Sequence, residues 1–323
     1  MLWAEAGQSQ ERGRFMIYFF YLFVFLFGLA VGSFLNVVIH RLTADHPENS
    51  SLPGWQGTVL CGRSHCPKCG QTLRWYDLIP VLSFFILRGR CRYCSQKISW
   101  QYPSVEIATA LLFLLISNFQ FPISNEISNF KFQISNAVNL GFLFFIISCL
   151  FVIFVYDLRH YIIPDKVLFP AIGISILYRL SEVFFRHAEL VSASQEILKQ
   201  VQDDRINGAL AIWRPFLLTM AAALAAAAFF LALVLITRGR GMGLGDVKLA
   251  FLMGLILGWP QILPALFLAF LSGAVVGLTL VILNKKTLKS QIPFGPFLAA
   301  ATVLVMLYGD KIIRYYFNLI WPL

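Results

Sequence analysis

Residues 139–156, NLGFLFFIISCLFVIFVY, carry no charge and stop on Asp157. About 20 apolar residues cross the hydrocarbon of a bilayer, where backbone N–H and C=O groups must pair within the segment, so such a run folds as a helix. Comparable runs occupy 15–30, 216–237 and 261–284, and shorter or interrupted ones 105–117, 167–185, 249–259 and 296–309. The expectation is an all-α polytopic membrane protein with about eight transmembrane helices. Only 13% of the 323 residues are charged, against about 25% in a soluble domain. The first run follows Arg12 and Arg14 and has the charge pattern of a cleaved secretory leader. No small-residue cleavage site with a secreted domain behind it follows, so 15–41 is read as the first membrane helix.

Lys and Arg in the loops set the orientation. Eight of them fall between 41 and 97, which puts the polar segment 42–101 in the cytosol as a small module between the first and second helices. The formal net charge of +10 then reflects orientation against lipid, and no basic surface suited to nucleic acid stands out. The remainder, 102–323, forms the membrane domain. ISNFQFPISN (116–125) recurs as ISNFKFQISN (127–136); two copies are too few for a solenoid. About 116–138 and 186–212 are therefore read as inserted loops on the outer side, without catalytic duty.

Four of the six cysteines fall as Cys66-x-x-Cys69, 21 residues, then Cys91-x-x-Cys94. Paired thiolates at this spacing can close a tetrahedron around zinc. A reducing cytosol disfavours disulfides, and a module of this size has too small a core to hold itself together without help. Redox pairs or unligated thiols are the other readings. Four thiolates leave no open position on the metal, so its expected role is structural. Cys61 and His65 are nearby alternative ligands, and Cys149 reads as a small core residue in an apolar helix.

Asp157 ends one apolar run and Asp246, in GMGLGDVKLA (241–250), begins another, so topology brings both to one membrane face. Carboxylates at that depth mark ion paths, proton relays or catalysis. Two sharing a site divide one proton and can act as acid and base toward water. Gly241, Gly243 and Gly245 let the backbone leave helical geometry and approach an extended substrate strand. Lys248 either snorkels to the interface or attracts an acidic substrate group. Three readings stay open on spacing alone: interfacial residues solvated by headgroups, a proton or cation transporter, and a hydrolytic dyad. A transporter predicts similar halves with broken helices, and none is visible. A non-catalytic scaffold of a pilus or secretion system would need the cysteines and not the aspartates.

The motifs GSFLNVVIHR (32–41), SHCPKCGQTLRWYDLIPVLSFFILRGRCRYC (64–94), QYPSVE (101–106), DLRHYIIPD (157–165), GMGLGDVKLA and PFGPFLAA (293–300) occur in the order of one family. Through most of its length the chain resembles the bacterial type IV prepilin peptidases, membrane aspartic proteases with a G-x-G-D signature. The resemblance implies a catalytic pair at Asp157 and Asp246, with Asp165 at the family's D-or-N position outside the pair. It also implies removal of short basic leaders after glycine from prepilins or pseudopilins, in a bacterial inner membrane with the active site facing the cytosol. The long form, which keeps the cysteine module, further implies N-methylation of the new terminus with S-adenosyl-L-methionine. The matching motif positions are Gly32, Asn36, Arg41 and Glu106, with Glu106 holding the new ammonium and Asn36 and Arg41 the cofactor's polar parts. Prepilin substrates and membrane lipid are the expected partners; an oligomeric state does not follow.

Overall fold

The structure is a computed structural model that describes residues 2–44, 64–66, 68–120, 134–197, 205–239, 241–285 and 292–320. Helices run in the order α1 (Leu2–Ala44), α2 (Leu82–Ile86), α3 (Gln101–Gln120), α4 (Ile134–His160), α5 (Asp165–Ile197), α6 (Arg205–Ile236), α7 (Leu244–Leu257), α8 (Ile262–Ile282) and α9 (Gly295–Ile320), with a 3-10 turn at Trp75–Leu78. Among the described residues, seven helices are long and apolar enough to cross a membrane. The expected span at 249–259 falls on α7 up to Leu257, and the 14 residues of that helix reach only about 21 Å at 1.5 Å per residue, short of the hydrocarbon thickness of about 30 Å. The two polar segments read as loops are helical at their edges: α3 runs to Gln120, α4 starts at Ile134, α5 runs to Ile197 and α6 starts at Arg205. Their middles, 121–133 and 198–204, lie outside the described residues, as does Cys61.

The chain divides into two compact units, Met1–Val152 and Ile153–Leu323. In the first, α1 crosses α3 at Gly28 and Gly32, four residues apart on one helix face. A Cβ on Gly28 would lie 2.6 Å from the Cα of Ala110, and one on Gly32 2.6 Å from the Cα of Glu106. The helices therefore touch backbone to backbone, the contact that small residues permit where no water drives association. Phe113 of α3 stacks on Phe144 of α4 with centroids 4.0 Å apart. Between α1 and α3 the two Cys-x-x-Cys turns fold alike. Cys66 N–H donates to Gln71 O and Gly70 N–H to Cys66 O, both at 2.9 Å; Cys91 N–H donates to Gln96 O at 2.8 Å and Ser95 N–H to Cys91 O at 2.9 Å. Each turn puts the residue after its second cysteine at positive φ, Gly70 at 68° and Ser95 at 55°.

In the second unit the short α7 is central. It packs against α5, α6, α8 and α9, and Leu249, Ala250, Leu252, Met253, Leu255 and Leu257 are buried, as expected for a helix apolar all round. Its C-terminal carbonyls have no intrahelical partners. Arg179 of α5 donates Nε to Leu255 O at 3.0 Å and Nη2 to Ile256 O, while Nη1 pairs with Glu182 at 2.9 Å. Along α8, Leu263, Phe267, Leu271, Leu278 and Ile282 are exposed, a surface for lipid.

Candidate functional site

Asp157 lies in the last turn of α4 and Asp246 in the first turn of α7, and both are buried, at 4% and 9% exposure. α4 ends where Tyr161, at φ 57°, donates its N–H to Asp157 O at 2.9 Å, and Pro164 then starts a new helix direction. The intervening turn carries Ile163 back across the site. A Cβ on Gly245 would lie 3.2 Å from Ile163 Cβ, and one on Gly295 would lie 3.3 Å from Ile163 Cδ1 and 2.5 Å from Asp157 Oδ2. Ile163 thus packs on the glycines beside each carboxylate, Gly245 next to Asp246 and Gly295 against Asp157. Backbone donors orient both groups: Gly243 N–H to Asp246 Oδ2 at 3.2 Å, and Gly295 N–H to Asp157. Two neighbouring carboxyls in a buried site can hold one proton between them, the state suited to activating water.

The glycine motif does not behave as one loop. Gly243 is extended, with φ −89° and ψ 160°, and forms the N-cap of α7, so Gly245 and Asp246 already belong to its first turn. Gly241 precedes the helix, and Gly245 is needed for the approach to Ile163. Lys248, read from sequence as snorkelling or as a substrate contact, has its ammonium 2.8 Å from both oxygens of Asp165 and 5.1 Å from the Phe169 ring. It ties α7 to the start of α5; a half-exposed pair of this kind contributes about 0–1 kcal/mol.

In the first unit the Sγ atoms of Cys66, Cys69, Cys91 and Cys94 all lie within 4.8 Å of one another, with Cys66 and Cys94 at 3.9 Å. That is far beyond a disulfide bond. It matches the edge, about 3.8 Å, of a tetrahedron with metal–sulfur bonds of about 2.3 Å, so the four cysteines can hold a metal ion. His65 pairs with Thr72 as a β-bridge and is not in the cluster. Cys149 is buried on α4.

A cavity of about 360 Å³ adjoins this cluster, lined by Asn36, Arg41, Asp77, Arg92, Tyr102 and Glu106, with Cys66 and Cys91 in its wall. Asn36 donates Nδ2 to Tyr102 O at 2.9 Å, while its buried Oδ1 has no hydrogen-bond partner. Glu106 accepts the N–H of Val81 on Oε2 at 2.7 Å. Gly32 does not line the cavity; it sits at the helix crossing beneath Glu106. Asp77 accepts from Arg92 Nε at 2.8 Å, from the Tyr93 hydroxyl at 3.2 Å and from Arg74 N–H at 3.2 Å. Burial would raise this carboxyl, but those bonds outweigh it and hold it below the ordinary carboxylate range. Gly295, Ile163, Asp77 and Val81 escaped the reading of the sequence as site residues. All four lie in the quoted motifs, and only their contacts with distant positions reveal a role.

The Bacterial Peptidase A24 N-terminal domain matches residues 26–119 and the Type IV leader peptidase family matches 206–278. The second match includes Asp246 but not Asp157. Relatives named "Prepilin leader peptidase/N-methyltransferase" align over nearly the whole chain. The one from Aeromonas hydrophila is 30% identical over 95% of this chain and 97% of its own. Those from Bacillus subtilis and Pseudomonas aeruginosa are each 30% identical over 92% of this chain, and over 97% and 93% of their own. No solved structure matches. Alignments of that extent span the cysteine cluster, the cavity and both buried aspartates, and the chain belongs to the prepilin leader peptidase/N-methyltransferase family.

Proposed function

We propose that Asp157 and Asp246 hydrolyse the bond joining the short basic leader of a type IV prepilin or pseudopilin to its mature chain, after glycine. The same protein then methylates the freed amino terminus. What supports the first activity is that two buried carboxylates, at the end of α4 and the start of α7, lie beside glycines that pack on the same Ile163, each held by a backbone N–H. One carboxylate takes a proton from water as its oxygen attacks the scissile carbonyl, and the other carboxyl gives its proton to the carbonyl oxygen. As the tetrahedral carbon collapses, the carboxyl that took the water's proton gives it to the departing amine, the C–N bond breaks, and a hydroxyl on the tetrahedral carbon returns its proton to the other carboxylate, so the pair ends singly protonated as it began. Which aspartate begins as base belongs to the pair rather than to either residue.

The cavity supports the second activity. The orphan Asn36 Oδ1 calls for a hydrogen-bond donor, Glu106 offers a carboxylate to an ammonium, and Arg41 offers a cation to a carboxylate, a set that suits S-adenosyl-L-methionine beside a peptide amine. When bound, that cofactor supplies the methyl group; the chain's residues orient the amine and the cofactor's charged ends. Zinc on Cys66, Cys69, Cys91 and Cys94 would hold the module folded, with no position open for water. The Lys and Arg between 41 and 97 favour the cytosolic side of a bacterial inner membrane for both sites.

Purified protein, a model prepilin and S-adenosyl-L-methionine, followed by mass spectrometry, test both activities. Cleavage after glycine and a gain of one methyl group are expected. Asp157→Asn and Asp246→Asn should each abolish cleavage while the protein still inserts in the membrane. Normal cleavage by both variants would end the dyad mechanism.

A further inference from the structure

Val81 is β-branched, yet its backbone sits at φ 62° and ψ −50°, a region that such residues avoid. The N–H of Leu82 bonds to the carbonyl of Pro80 across it, which makes a γ-turn of the rare, strained kind. Strain of this sort persists only where surrounding contacts hold it, and it gathers at ligand clamps and switches. Here the contact is the buried carboxylate of Glu106, which takes the Val81 N–H at 2.7 Å. Four residues earlier, Asp77 is fixed by Arg92 and Tyr93, the two residues between Cys91 and Cys94. The segment from Asp77 to Val81 is thus clamped at one end to a cysteine turn and at the other to a membrane helix, beside a cavity that both clamps line or adjoin.

We infer that the metal cluster and the cavity are energetically linked through this segment, with Asp77 and Val81 as positioning residues. Metal on the cysteines holds Arg92 and Tyr93 in place, these hold Asp77, and the γ-turn aims the Val81 N–H so that Glu106, which also accepts from Ser33, keeps its carboxylate turned to the ligand. Linkage is reciprocal: whatever factor the metal adds to ligand affinity, the ligand adds to metal affinity. This inference rests on the methyl-donor reading only for the identity of the ligand, and one arm of the test does without it.

In the full-length, zinc-loaded protein, the rate at which an excess of chromogenic chelator removes the metal reads the linkage. Loss of an outer contact of this kind weakens metal binding by about 10–100-fold. Glu106→Leu, which removes the acceptor for Val81, should release zinc about 10-fold faster than the parent protein, whereas Glu106→Gln, which keeps an acceptor oxygen, should not. Asp77→Leu should match Glu106→Leu, and the double variant should be no faster than Asp77→Leu alone, because one line of contacts is cut twice. Zinc release from Glu106→Leu at the parental rate, or multiplied effects in the double variant, would overturn the linkage.

The second arm needs no substitution. S-adenosyl-L-methionine should slow zinc release from the parent protein, and stripping the zinc should weaken cofactor binding by the factor that the cofactor adds to zinc affinity. Unchanged binding after stripping overturns the linkage. If the cofactor fails to bind the zinc-loaded protein at all, the methyl-donor reading falls, and the Glu106→Leu release rate still decides the linkage.

Discussion

Gly295 shows how one hydrogen atom can decide a site. A methyl group there would stand 2.5 Å from Asp157 Oδ2, nearer than any unstrained contact, so Gly295→Ala must turn the carboxylate or push back the start of α9. A displacement of about 1 Å at reacting groups costs about 10²-fold in rate; leader cleavage by Gly295→Ala should fall by about that factor while membrane insertion stays normal. Ser95 is the opposite case. It holds the positive φ that Gly70 fills in the other turn, at a cost of about 1–2 kcal/mol for an L side chain. Ser95→Gly should therefore raise the thermal stability of the module, read as a later release of zinc on heating. Position 95 is serine in a turn that otherwise repeats the first, so the asymmetry is visible in the sequence, but the repeated geometry that gives it meaning is not.

Among the elements, the long apolar runs were legible because their length matches a bilayer, and the cysteine turns because ligand spacing leaves few other uses. The role of α7 was not. Periodicity cannot distinguish a buried helix from a spanning one when every side is apolar, and Arg179, which satisfies its last carbonyls, lies more than seventy positions away in the chain. Gly32 was legible as a motif position but not as a packing residue. Its hydrogen lets α1 rest on the backbone of Glu106, so Gly32→Ala should force the helices apart and loosen Asn36 and Glu106 relative to each other. Calorimetric titration with S-adenosyl-L-methionine should show weaker binding, with leader cleavage retained.

At the scale of the molecule, each compact unit contains one set of chemistry: cysteines and cavity in Met1–Val152, both aspartates in Ile153–Leu323. The division follows the two matched domains, and composition gave no hint of it, since apolar helices continue across the boundary within α4. The brevity of α7 reaches beyond the protein. A helix of about 21 Å, enclosed by α5, α6, α8 and α9, does not meet the lipid itself, so water must reach the buried Asp246 past those neighbours. Mismatch at those neighbouring helices costs fractions of a kcal/mol per Å, so vesicles built from longer acyl chains, which move the headgroups and their water away from Asp246, should cleave a prepilin more slowly than vesicles built from short ones. The thickness of the host membrane then becomes a rheostat on leader removal, set by fatty-acid synthesis; equal rates across the series would mean that the protein absorbs the mismatch itself.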